Sequence, residues 1–153
     1  MTKEEIIALL PYGNDFLFVD TLQEISEKGI IGTYTFREDE VFYSSHFKEV
    51  AITPGVILIE CMAQIGLVCL GIWTQRENLS QNTPITGFQV ALAQSEVEFL
   101  KPVYPKEMVT VTSELIYFRF QKLKCKVKMT NTKGEIVCKG ILSGMVKGDL
   151  LEK

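Results

Sequence analysis

The chain has 153 residues, 46% of them hydrophobic and 23% charged, a composition that fits one globular domain with a buried core. Its 19 acidic and 16 basic residues are spread along the sequence and give a net charge of −3, which argues against nucleic acid as the main partner. The opening MTKEEIIALLPYG is acidic where a secretory signal has a positive region and a long apolar core. We therefore expect a single cytoplasmic domain over residues 1–153.

The first part of the chain predicts short elements that lead to the only histidine. Thr2 and Glu5 have the spacing of a helix capping box. The predicted elements are a short helix after Thr2, strands over residues 16–25 and 30–36, and an irregular stretch over residues 38–47. His46 lies near the end of that irregular stretch, so we expect it on a loop.

A long apolar helix comes next. Thr53 is the predicted N-cap and Pro54 the first helical residue. Residues 56–73 are apolar on nearly every side, which is typical of a helix enclosed by the rest of the protein. This segment approaches the length of a bilayer span, but Glu60 and Gln64 lie within it. We therefore predict a core helix and no membrane span.

The rest of the chain predicts strands. They cover residues 85–99, 108–119, 122–131 and 136–146, with a hairpin turn over residues 131–134. Apolar residues alternate with polar ones, so one face is buried and the other is solvated. The pattern predicts an α+β fold in which an antiparallel sheet wraps around one apolar helix.

The four cysteines are Cys61, Cys69, Cys125 and Cys138. They have no CxxC spacing and lie in apolar or strand-like segments, whereas the ligands of a metal site cluster in the sequence. Disulfides are rare in a reducing compartment. We expect free thiols and no metal site.

His46 and Glu60, fourteen residues apart, are the candidate catalytic pair. Glu60 is the only charged residue in the run from residue 52 to residue 75. A buried carboxylate without a partner is costly, so such a residue is either paired or functional. The N–H groups at the helix start point back toward the His46 loop, and Gly55 allows a ligand oxygen to approach its N–H closely.

A neutral imidazole acting as base, a carboxyl group acting as acid and a backbone donor favour one type of reaction. That reaction is an elimination, in which a proton leaves the carbon next to a carbonyl and a substituent leaves the β-carbon. The loss of water from a 3-hydroxyacyl group is an example. A core histidine with satisfied hydrogen bonds and a salt-bridged glutamate are the alternative that the spacing leaves open.

Three segments resemble known motifs in the same order along the chain. They are Leu10-Pro11 with Phe16-Leu17-Phe18-Val19-Asp20, Ser45-His46-Phe47 with residues 52–64, and residues 98–105. Together they resemble the opening, active-site and strand-end motifs of the hot-dog 3-hydroxyacyl-(acyl carrier protein) dehydratases of type II fatty acid synthesis. The resemblance implies the hot-dog fold.

The resemblance also implies roles for individual residues. His46 corresponds to the catalytic histidine and Glu60 to the catalytic carboxylate. The Gly55 N–H corresponds to the donor that polarises the thioester carbonyl, and Gln64 to the residue that orients the carboxylate. A glutamate at this position is similar to the branch that dehydrates without isomerising the product, a trans-2-enoyl thioester.

The implied partners are an acyl carrier protein, whose phosphopantetheine arm carries the substrate, and further copies of the chain. The family's site lies between the subunits of a homodimer, alone or in a trimer of dimers, and no metal or organic cofactor is implied. Candidate tunnel-lining aromatics, which are also ordinary core residues, are Trp73, Phe88 and Phe99. Candidate carrier-binding lysines, which also fit a solvated sheet face, are Lys101, Lys122, Lys124 and Lys126.

Two segments depart from the family pattern. Lys48-Glu49-Val50-Ala51 replaces a Pro-Gly-x-Pro run, and Tyr12-Gly13-Asn14-Asp15 replaces a His-Arg-x-Pro run. Loss of prolines and a glycine changes the rigidity of a loop. We therefore hypothesise an unusual acyl substrate, such as an aromatic or polyene chain.

Two other functions remain open. The hot-dog fold also hosts thioesterases, in which Glu60 would activate water, and fold alone does not select the chemistry. A noncatalytic acyl-binding subunit is the second alternative. The spacing across the Pro-Gly helix start favours the dehydratase, and the presence of His46, Glu60 and Gln64 counts against a noncatalytic subunit.

Overall fold

The computed structural model describes residues 1–79 and 88–147. In this part of the chain the strands are β1 (Thr21–Ser26), β2 (Gly29–Thr35), β3 (Gln89–Phe99), β4 (Met108–Arg119), β5 (Lys122–Thr130) and β6 (Ile136–Lys147). The helices are α1 (Lys3–Ala8), α2 (Gly55–Thr74) and α3 (Arg76–Leu79).

The six strands form one antiparallel sheet in the order β1-β2-β4-β5-β6-β3. The apolar residues of β5 are buried against α2, whereas its lysines alternate on the other face, so the sheet wraps around the helix. This arrangement confirms the predicted α+β hot-dog fold. Strands β1 and β3 lie at the two edges of the sheet.

Helix α2 changes its winding along its length. It is α-helical over Gly55–Ala63, π-helical over Gln64–Cys69 and α-helical again over Leu70–Thr74. The hydroxyl of the buried Ser113 donates to the carbonyl oxygen of Gly66 in the π segment, at 3.0 Å. The helix is long and apolar enough to cross a membrane, but 72% of its most apolar 18-residue stretch is buried inside the fold. The buried residues of this helix belong to the hydrophobic core of the domain.

The predicted start of this helix is wrong by one residue. Pro54 is the N-cap and Gly55 the first helical residue, and no side chain caps the helix. The hydroxyl of Thr53 lies 2.6 Å from that of Tyr43, and the two form a buried hydrogen bond. This bond takes the place of the expected cap interaction. The local propensity of Thr53 is therefore overridden by a tertiary hydrogen bond.

The first predicted strand begins too early. Residues 14–16 form a 3-10 turn, and the strand begins only at Thr21. The N–H of Phe18 donates to the side chain of Gln64 on α2, so it is not part of a strand ladder. Residues 85–87, at the start of the predicted third strand, lie outside the described residues.

Other local predictions are confirmed. Thr2 and Glu5 form the capping box of α1. Asn131 and Gly134 close the β5–β6 turn through a hydrogen bond of 3.0 Å, with Gly134 at φ 76°. The four cysteines are buried free thiols.

Candidate active site

His46 lies in the irregular loop between β2 and α2, and its ring is half-buried. Its Nδ1 lies 2.8 Å from the carbonyl oxygen of Ile52, and the ring stacks on Phe47 with the ring centroids 3.9 Å apart. A carbonyl oxygen only accepts hydrogen bonds, so Nδ1 carries the proton. In the neutral imidazole the lone pair then lies on Nε2, which leaves this nitrogen able to act as a base.

The backbone of this loop is closed by its own hydrogen bonds at the point where the sequence departs from the family motif. The N–H of Phe47 donates to the carbonyl of Val50 at 2.7 Å, and the N–H of Ile52 donates to that of His46 at 2.9 Å. Just after the loop, the N–H of Thr53 donates to the carbonyl of Val103 at 2.9 Å. These bonds restrain a loop that has no proline over residues 47–53.

Glu60 projects from the N-terminal half of α2 and is oriented by Gln64, one turn later. The Nε2 of Gln64 donates to Glu60 Oε1 at 2.9 Å and to the carbonyl of Phe16 at 2.8 Å. Its Oε1 accepts from the N–H of Phe18 at 2.8 Å. Because both backbone partners have fixed hydrogen-bonding roles, the orientation of the fully buried amide is determined. Its second N–H therefore points at the Glu60 carboxylate.

Gly55 begins α2 next to an aromatic ring. A Cβ at this position would lie 3.1 Å from the ring of Phe99, so a side chain here would displace the ring or the helix start. The N–H of Gly55 has no acceptor among the described residues, as expected in the first turn of a helix. The position combines a free backbone donor with an apolar wall.

Tyr12 is a further candidate site residue, and the sequence predicted no role for it. Burial, and then the negative charge of Glu60, raise the pKa of its hydroxyl well above the usual value, so this group stays protonated. Its ring centroid lies 6.2 Å from that of Phe16, the residue whose carbonyl binds Gln64. The only signal in the sequence is its place in the altered opening motif.

Comparison with known proteins identifies the family. Residues 10–142 match the FabA-like domain. The chain belongs to the FabA-like family. It is 32% identical over 143 residues to the 3-hydroxyacyl-[acyl-carrier-protein] dehydratase FabZ of Caldicellulosiruptor saccharolyticus, covering 93% of this chain and 96% of that protein. The family predicted from the three motifs is confirmed.

Solved structures share the fold of this FabA-like chain. The dehydratase heterocomplex ApeI:P from Xenorhabdus doucetiae has a TM-score of 0.77 at 14% identity, covering 100% of this chain and 99% of that one. Zebra fish thioesterase superfamily member 2 has a TM-score of 0.66 at 10% identity, covering 95% of both chains. Dehydratases and thioesterases thus share this fold, and the fold alone does not separate them.

The predicted site residues of this FabA-like chain lie on two consecutive segments, the loop before α2 and the helix itself. Gly55, Glu60 and Gln64 share the N-terminal half of α2. Among the residues that the structure describes, no hydrogen bond or ion pair joins His46 to Glu60; their bonds run instead to Ile52 and Gln64. Within one chain the His46 ring and the Glu60 carboxylate therefore have different hydrogen-bond partners.

The three candidate tunnel residues are also divided. Phe99 covers Gly55. Trp73 lies about 27 Å further along α2, by the rise of a helix, with the Arg76 guanidinium 4.0 Å from its ring centroid. Phe88 is 4% exposed and packs near Gly71 at that same end of the helix.

The candidate carrier-binding lysines also occupy two regions. Lys101 follows β3 and forms an ion pair with Glu135. Lys122, Lys124 and Lys126 alternate along β5 on the face directed away from α2, and Lys124 Nζ lies 5.8 Å from the Tyr117 ring centroid. Of the four, only Lys101 is close in sequence to a residue beside Gly55.

Proposed function

We propose that this chain is a 3-hydroxyacyl-(acyl carrier protein) dehydratase, which converts a 3-hydroxyacyl thioester into a trans-2-enoyl thioester in fatty acid or related polyketide or polyene biosynthesis. The observation that carries the proposal is the fixed Glu60 carboxylate on the helix whose first N–H, that of Gly55, is free. Membership of the FabA-like family and the curated FabZ relatives support the same activity. The enzyme acts in the cytoplasm on substrates carried by a phosphopantetheine arm.

Each group has a defined part in the proposed reaction. His46 Nε2 takes a proton from the carbon beside the thioester carbonyl, while the Gly55 N–H stabilises the negative charge that develops on the carbonyl oxygen. The protonated Glu60 carboxyl donates its proton to the 3-hydroxyl group, which leaves as water as the double bond forms. Transfer of the proton from His46 back to Glu60 restores the site.

The proposed site forms between two copies of the chain. Within one chain His46 and Glu60 have separate partners. Phe47 and Val50 in the His46 loop and Val56 in the first turn of α2 expose apolar side chains, and β3 lies at an edge of the sheet. Exposed apolar clusters and free strand edges favour association. We infer a homodimer, alone or in a trimer of dimers, in which the two subunits supply His46 and Glu60 to each shared site.

The deciding experiment is an assay of the purified protein with a 3-hydroxyacyl thioester on acyl carrier protein, following enoyl formation and free thiol together. We expect enoyl product, with losses of about 10²- to 10⁴-fold in His46→Ala and Glu60→Gln. Glu49→Gln, an exposed glutamate in the same loop, is the control and keeps full activity. Free thiol without enoyl would identify a thioesterase, and neither product would favour an acyl-binding subunit.

Mixing the two inactive variants tests the shared site. After joint unfolding and refolding, half of the dimers carry one variant of each kind, and each of these has one site with both His46 and Glu60. We therefore expect recovery of about a quarter of the wild-type activity. No recovery from well-folded dimers would place both residues of a site in one chain.

The altered loops support a specialised acyl group. Substrates with aromatic or polyene chains are therefore expected to turn over faster than short saturated ones, compared as kcat/KM on the same carrier. Equal or better turnover of the short saturated substrates would contradict this part of the proposal.

A further inference from the structure

A buried carboxylate outside the proposed chemistry lies six residues before His46 in the same loop. The side chain of Glu40 is only 2% exposed. Its Oε1 accepts hydrogen bonds from the hydroxyl of Tyr34 and, at 3.3 Å, from the N–H of Arg37. A buried charge persists only where such partners compensate its lost hydration.

Tyr34 gives Glu40 a rigid attachment to the sheet. It lies on β2, is 2% exposed, and its ring packs edge-on against Phe18 and Phe36 at centroid distances of 5.5 and 5.0 Å. The hydroxyl therefore has little freedom to follow Glu40 if the loop moves. The contact joins an irregular segment to a fixed point of the core.

Successive backbone hydrogen bonds connect Glu40 to His46. The N–H of Tyr43 donates to the carbonyl of Glu40 at 3.1 Å, and the N–H of His46 donates to that of Phe42 at 2.9 Å. On the far side, the Tyr43 hydroxyl pairs with that of Thr53 at 2.6 Å, just before α2. The loop is thus held at both of its ends, and the histidine lies between them.

We propose that Glu40 is a positioning residue that ties the His46 loop to β2 through Tyr34 and so holds the imidazole in its catalytic place. The inference rests on the proposed function for its kinetic consequence. Its structural consequence is independent of activity, because His46 is the only histidine and its ring signals are unambiguous in a magnetic resonance spectrum.

The test uses Glu40→Ala, Glu40→Gln and Tyr34→Phe. Glu40→Ala removes the acceptor, and we expect kcat to fall about tenfold or more with KM within about twofold, since a small displacement of a catalytic group is costly. The Nδ1–H signal of His46 should broaden or vanish well below the melting temperature. Glu40→Gln keeps an acceptor oxygen for both donors and should restore most of the activity and the signal.

Thr33→Val is the matched control. It removes a buried hydroxyl from the same strand, one that pairs with Thr21 at 2.6 Å and, among the described residues, has no hydrogen bond to the loop. We expect it to lower the melting temperature and to leave kcat and the imidazole spectrum unchanged. If Glu40→Ala fails to fold, Tyr34→Phe tests the same contact, because it keeps the ring and removes only the donor.

Two results separate this inference from the proposed function. A lowered melting temperature with unchanged kcat and an unchanged imidazole spectrum in Glu40→Ala, or in Tyr34→Phe if Glu40→Ala does not fold, would overturn the positioning role. If the wild-type protein has no dehydratase activity and Glu40→Ala still disturbs the imidazole spectrum, the positioning role is supported and the proposed reaction is rejected.

Discussion

The loop that carries His46 and the helix that carries Glu60 are stabilised by different kinds of contact. The loop has no regular secondary structure, several of its side chains are exposed, and individual hydrogen bonds such as that of Ile52 hold its shape. Helix α2 has its own backbone hydrogen bonds and is buried for most of its length. On this helix, the direction of the Glu60 carboxylate depends on the side chain of one further residue, Gln64.

This difference determines what a substitution does. A change in the loop contacts moves backbone, and the position of His46 changes with it. A change beside Glu60 leaves the helix in place, because burial of its apolar side chains stabilises it, and alters the orientation of one side chain. The following predictions test that distinction.

Among single substitutions, the largest effect is expected for Gln64→Met, which keeps the volume of the side chain and removes its polar groups. The N–H of Phe18 then loses its partner in a buried site, and the carbonyl of Phe16 loses its partner in a half-buried one. At about 1–3 kcal/mol for each unsatisfied group, the free energy of unfolding should fall by about 2–6 kcal/mol. Activity should also fall, since the Glu60 carboxylate is no longer oriented.

Urea unfolding measures this loss, and Met62→Leu is the control. Met62 is equally buried on the same helix, and a swap of similar volume costs less than about 1.5 kcal/mol. A Gln64→Met protein as stable and active as the control would show that the amide does not hold the opening segment or the carboxylate.

The next effect is a loss of stability in alkali. The buried thiols around α2 cause it at a lower pH than the loop does. Burial raises the pKa of the Cys125 thiol to about 11 and that of Cys138 to about 12, and it also raises the pKa of Cys61 and Cys69 on the helix. The folded state keeps these protons where the unfolded chain releases them. Stability is therefore complete below pH 9, the usual thiol value, and falls as the pH rises toward the folded values.

Each thiol contributes about 1.4 kcal/mol per pH unit in this window. In the loop, burial raises the pKa of Tyr43 to about 12, so its share of the loss begins only above pH 10, where an unfolded tyrosine ionises. Urea unfolding at a series of pH values should show a free energy of unfolding that falls with pH from pH 9 upward. In Cys69→Ala this slope should be smaller by the contribution of one thiol. Constant stability up to pH 10.5 would contradict the prediction.

The smallest effect on stability is expected for Gly55→Ala, at the junction of the loop and the helix. Its methyl group would lie 3.1 Å from the Phe99 ring, which must move. We expect kcat/KM to fall about tenfold, because a shifted helix start misplaces the Gly55 N–H, the proposed oxyanion donor. The free energy of unfolding should change by less than about 1 kcal/mol, since alanine favours the helix over glycine.

Gly71→Ala is the control for the same change in the same helix. A methyl group there would lie 3.4 Å from Phe88, an ordinary contact, and should leave activity unaltered. Replacing Phe99 with leucine in the Gly55→Ala protein should restore activity by making room. Full activity of Gly55→Ala alone would show that the Phe99 ring does not restrict the donor.

By itself, the sequence determined the local elements and the family. The capping box at Thr2, the alternation along β5 and the apolar run of α2 are short-range patterns, because backbone preference and burial act residue by residue. The three motifs identified the family from residue types and spacing. The roles of His46 and Glu60 follow from that resemblance and stay predictions.

The tertiary structure decided which polar groups bind each other. Gln64 binds the backbone at Phe18, 46 residues away, at a position predicted to belong to the first strand, which begins only at Thr21. Thr53 binds Tyr43 in place of capping the helix, and Tyr12 lies near the charge of Glu60. No local pattern records such pairs, because a hydrogen bond between distant segments depends on which surfaces the fold brings together.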